Sequence, residues 1–65
     1  MMTDTELRQQ GIALASRMQA YLAGRAAHLA ERAREGRASA RQVNDARAAA
    51  AASARAVRNL KRRAR

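Results

Sequence analysis

The chain has 65 residues, with fourteen lysines and arginines against five acids, a net charge of +9, and neither cysteine nor proline. A chain this short holds one domain at most, and without cysteine it has no disulfide staple and no thiolate metal site. Alanine and arginine fill about half of the sequence, and both are strong helix formers; two valines, one isoleucine, one tyrosine and two threonines are too few strand formers for a sheet.

The first turn carries a start signal. Thr3 followed by Glu6 has the spacing of a capping box, and Asp4 and Glu6 suit the positive end of a helix dipole. The N-terminus lacks the apolar core of a signal peptide. The longest purely apolar run, Ala48–Ala52, is too short for a bilayer span, so a cytoplasmic protein is expected. Apolar or small residues then recur at steps of three and four: Leu7, Gly11, Leu14 (with Ala15), Met18, Leu22, Ala26, Leu29 and Ala33. That spacing predicts a helix over residues 4–35 with these residues on one face. Tyr21, the only aromatic, lies beside that stripe.

Gly36 is the expected stop, because glycine accepts the left-handed conformation that ends many helices. Ser39 with Gln42 three residues later forms a second capping box and a restart. The turn over residues 36–39 is short enough to join two antiparallel helices. A second helix over residues 40–63 follows, with a seam of Val43, Ala46, Ala50, Ser53, Val57, Leu60 and Ala64. Its residues are mostly small, which allows close approach but specifies register weakly.

The expected fold is therefore all-α: one domain over residues 1–65, a two-helix antiparallel hairpin dimerising into a four-helix bundle. The few large apolar side chains favour self-association, since a lone chain of this length has little core. The expected oligomer or partner interface comprises Leu7, Gly11, Leu14, Met18, Tyr21, Leu22, Leu29, Val43, Ala50, Val57 and Leu60. One alternative competes. Leu22, Leu29, Gly36, Val43, Ala50, Val57 and Ala64 sit at seven-residue intervals, so one long coiled-coil helix could run through Gly36. A glycine inside a helix costs only about 1 kcal/mol. Against it, Arg25 and Arg32 would occupy that seam.

No catalytic set can be assembled. His28 lies beside the apolar stripe without a partner in the pattern, and Glu31 and Glu35 sit among Arg32, Arg34 and Arg37, where solvated ion pairs are the simpler reading. There is no glycine-rich phosphate loop, no metal-ligand spacing and no nucleophile with a base, so neither enzymatic activity nor a cofactor is expected.

Charge is distributed unevenly. Residues 1–36 carry five arginines and four acids, a net of +1, whereas residues 37–65 carry nine basic residues and Asp45 alone, a net of +8. On a helix, Arg47, Arg55, Arg58, Arg62 and Arg65 share a face about 120° from the small-residue seam. With Lys61 and Arg63 they are the candidate nucleic-acid contacts. Arginine forks bind phosphate oxygens bidentately, and several such contacts give salt-dependent affinity. Few Asn or Gln residues and no aromatic ladder accompany the stripe, so binding to the DNA or RNA backbone is expected rather than sequence readout.

Three other readings compete. The arginines, thirteen against one lysine, follow equally from GC-rich coding and a merely solubilising face. A protein–protein adaptor, inhibitor or assembly component, of phage or plasmid origin, could dock through the apolar stripe with the charge incidental. A membrane role is disfavoured, because the second helix offers mainly alanine opposite its charges. The size and layout resemble those of small helical-hairpin RNA-binding regulators of plasmids in architecture alone; no motif carries functional residues over.

Overall fold

The computed structural model describes residues 1–63. Two helices account for nearly all of them: α1 over Asp4–Arg34 and α2 over Ala40–Arg63, packed against each other as an antiparallel hairpin. Ala64 and Arg65 lie outside the described residues.

Each helix boundary has a local cause. The Thr3 hydroxyl accepts from the Glu6 backbone N–H at 3.2 Å, which satisfies one of the amides left unpaired at the start of α1. At the other end Gly36 adopts φ 76°, a left-handed conformation. The Gly36 N–H donates to the Ala33 carbonyl at 3.1 Å and the Arg37 N–H reaches back to the Arg32 carbonyl at 2.8 Å. This pair of bonds is a Schellman motif, and it turns the chain out of α1. Three residues later Ser39 and Gln42 close the second capping box from both sides. The Gln42 N–H donates to the Ser39 hydroxyl at 3.1 Å, and the Ser39 N–H donates to the Gln42 side-chain carbonyl at 2.9 Å. The seven-residue periodicity through Gly36 therefore does not produce one continuous helix. The turn has stronger instructions than the heptad, whose seam is mostly alanine.

The seam differs from the expected one on α1. Its inward residues are Ile12, Ala15, Ser16, Gln19, Leu22, Ala26, Leu29, Ala30 and Ala33. Opposite them on α2 lie Val43, Ala46, Ala50, Ser53, Ala54 and Val57. Among the described residues only Ala26, Val43 and Val57 are buried, at 7%, 6% and 7% exposure, and no side chain there is completely enclosed. Leu7, Leu14, Met18 and Tyr21 remain 54–64% exposed. The apolar residues of α1 thus divide into two adjacent stripes rather than one. Close approach of two alanine-rich helices selects the smaller side chains for the seam, and the larger ones stay outside it.

The pair is a thin slab with Cα extents of 50 × 19 × 11 Å. No helix among the described residues is long and apolar enough to cross a membrane.

Candidate nucleic-acid interface and the opposing apolar face

Two helices lying side by side leave a shallow groove along each side of their seam, and the two grooves have different chemistry. On one side, Ala30, Ala33, Arg34, Val43, Asn44 and Arg47 line the groove near the turn. Further along the same side lie Gln19, Ala51, Ala54, Arg55, Val57 and Arg58. On the other side, Leu22, Arg25, Leu29, Gln42, Asp45 and Ala49 line the groove near the turn. Leu7, Arg8, Gly11, Ile12, Leu60 and Arg63 line it at the open end.

Helix geometry accounts for this division. At about 100° per residue, Arg47, Arg58 and Arg62 sit roughly 70–130° round α2 from its seam. Leu7, Leu14, Met18 and Tyr21 sit about 110° round α1 from its own seam, in the opposite rotational sense. Because the helices run antiparallel, opposite senses place the two stripes on opposite broad faces of the slab.

The basic face carries Arg47, Arg55, Arg58 and Arg62, all exposed; Lys61, also exposed, lies nearer the line of the seam, four residues beyond Val57. From Arg47 to Arg62 it extends about 22 Å at 1.5 Å per residue. Two ion pairs occur among the described residues, Arg34–Glu31 at 2.9 Å and Arg37–Glu35 at 3.7 Å, both at the turn end of α1. Glu31 and Glu35 are thus engaged with arginines, and within the described residues no carboxylate reaches the α2 stripe. Arg63 parts company with the other candidates. It lines the apolar groove beside Leu7 and Leu60 instead of the basic face. Arg65 lies outside the described residues.

Two residues of α1 that periodicity did not single out join the basic face. Gln19 lines a groove with Arg55 and Arg58, and Arg34 shares one with Asn44 and Arg47. The signal was present in the turn, which fixes how α1 folds back on α2, but it needs the hairpin register to be read.

The apolar face gathers Leu7, Gly11, Leu14, Met18 and Tyr21 from α1 and Leu60 from α2. Leu22 and Leu29 are half-buried between this face and the seam, while Val43, Ala50 and Val57 belong to the seam itself. Gly11 has nothing within 4 Å of where a Cβ would stand, so the backbone there is open to close approach. His28 is exposed, and no group of three or more His, Cys, Asp or Glu among the described residues is placed to hold a metal ion.

Compared with family models, curated proteins and solved structures, the chain matches none of them.

Proposed function

We propose that the chain is a small non-enzymatic accessory protein that works as a homodimer and binds the phosphate backbone of nucleic acid through α2, in the cytoplasm. The observation that carries this reading is the exposed array of Arg47, Arg55, Arg58 and Arg62 on one face with no carboxylate within ion-pair reach among the described residues. Such an array is electrostatically unsatisfied by its own chain, and its spread suits several phosphates at once.

The dimer is supported by area. A compact folded monomer of 7.1 kDa exposes about 4,100 Å², whereas this chain exposes 5350 Å². The excess, about 1,250 Å², is of the order that one partner gives up in a standard-to-large protein interface. Leu7, Leu14, Met18 and Tyr21 supply the apolar part of it.

Gel shifts on duplex DNA and duplex RNA test the reading. Four phosphate contacts predict affinity falling about 150-fold between roughly 50 and 200 mM salt. The triple variant Arg55→Gln, Arg58→Gln, Arg62→Gln should lose the shift while keeping its helix content. Absence of any complex with the unaltered chain at low salt refutes the proposal.

A second reading has its own observation behind it. The same exposed Leu14 and Tyr21 suit docking on another protein, with the charge incidental. It predicts a stoichiometric protein partner retained at high salt and lost in Leu14→Glu or Tyr21→Glu. Recovery of nucleic acid alone counts against it.

A further inference from the structure

We infer that the dimer is a bridge: it holds two separate nucleic-acid duplexes, one on each side, rather than cradling one. The inference rests on the proposed function, and it adds the geometry of the bound state. A second copy is the occupant of the apolar face for two reasons beyond area. First, the basic face crowds Arg47, Arg55, Arg58 and Arg62 on one helix with no carboxylate in ion-pair reach among the described residues, whereas on the other side Arg8, Arg25 and Arg63 are spread along the grooves with Asp45 among them. Two copies meeting through the apolar face therefore repel less than two copies meeting through the basic face. Second, Leu7, Leu14 and Tyr21 repeat at seven-residue intervals, with Gly11 and Met18 interleaved at the same interval. This is the spacing at which one helix packs along another copy of itself.

The consequence follows from the thinness of the slab. The apolar and basic stripes lie on opposite broad faces of a hairpin whose smallest extent is 11 Å. Joining two hairpins through their apolar faces therefore turns both arginine arrays outward, in opposite directions. A single rigid duplex can reach one array but not both. Each array spans about 22 Å, enough to follow the backbone of one duplex over several phosphates. The two faces of the dimer then act independently, and the natural complex is duplex–dimer–duplex. The ligand chemistry is a duplex phosphate backbone, which B-form DNA and A-form RNA both offer.

The experiment uses two short duplexes carrying a donor and an acceptor dye, in a DNA arm and an RNA arm, with the full chain at low salt. The expected result is energy transfer that rises and then falls as protein is added, because excess dimer saturates each duplex separately. Sedimentation of the wild-type complex should show two duplexes per dimer. The charge-neutral variant Leu14→Gln, Met18→Gln alters exposed positions outside the seam. It should sediment as a monomer, keep affinity for one duplex within about threefold (a statistical factor of two is lost), and give no transfer.

Several outcomes overturn the inference. One duplex per dimer without transfer means the arrays converge on one ligand; nucleic-acid binding then stands and bridging fails. Transfer that persists in a monomeric variant means the bridge does not run through the apolar face. No binding of either duplex removes the underlying reading as well. Transfer in one arm only keeps the bridge and identifies its ligand.

Discussion

Gly36 offers the sharpest test of how this sequence chooses a hairpin over a rod. Its φ of 76° lies in the left-handed region, and a Cβ added there would meet nothing within 4 Å. Gly36→Ala is therefore a pure backbone perturbation. An L-residue in that conformation costs roughly 1–2 kcal/mol, which falls on the hairpin alone. In the competing continuous helix, replacing glycine with alanine gains about 1 kcal/mol. The balance between the two forms should move by about 2 kcal/mol or more, roughly thirtyfold. The chain lacks cysteine, so Gln10→Cys and Asn59→Cys can carry a unique pair of spin labels. In the hairpin both positions sit at the open end of a pair only 19 Å across in its second dimension. In a continuous helix they would be about 74 Å apart. The expected result is a melting temperature lowered by about 4–16 °C at fixed protein concentration, with a growing long-distance population. Gly36→Asn, which tolerates the left-handed region, should recover most of the loss. A Gly36→Ala chain that melts at or above the wild-type temperature, with its labels still close, would refute the reasoning.

Ser39→Ala removes the hydroxyl that accepts from the Gln42 N–H at 3.1 Å, and a thermal melt should show a loss of about 1 kcal/mol. Val57→Ala, at a position only 7% exposed, should cost about 1.5 kcal/mol in denaturant titration, the burial of two carbons. Gly24→Ala, with nothing within 4 Å of the added methyl, should raise helix stability by about 1 kcal/mol in the same titration. Gly11→Ala should gain as much within each chain but weaken association in sedimentation, because its methyl stands on the face assigned to the second copy.

Local signals of the turn were legible from the residues. Gly36, Ser39 and Gln42 act through backbone conformation and hydrogen bonds within a few residues, so the sequence alone exposes them. The seam of α2 was legible as far as Val57 for a similar reason, since Val43 and Val57 are the only β-branched residues of that helix; Leu60, expected in the seam, is exposed on the apolar face instead. The seam of α1 was legible only in its second half, at Leu22, Ala26, Leu29 and Ala33. In the first half Leu7, Leu14 and Met18 attract notice by size, yet the second helix packs beside Ile12, Ser16 and Gln19, with Ala15 alone of the expected stripe. Two stripes about 110° apart on one helix both satisfy steps of three and four. Which of them faces α2 is decided by the fit of small residues across the pair, a property of two helices together. The split between Arg58 and Arg63 has the same origin. Both are basic and both lie near the end of α2, but only the hairpin register shows that they border different grooves.

The absence of any enclosed side chain among the described residues has a thermal consequence. Heat capacity on unfolding rises with the apolar surface newly given to water, and a slab held by alanines gives up little. The curve of stability against temperature should accordingly be shallow, with a broad melt on heating and little weakening on cooling. Such a protein keeps a thin margin over a wide span of temperatures, where one with a deep core keeps a large margin over a narrow one.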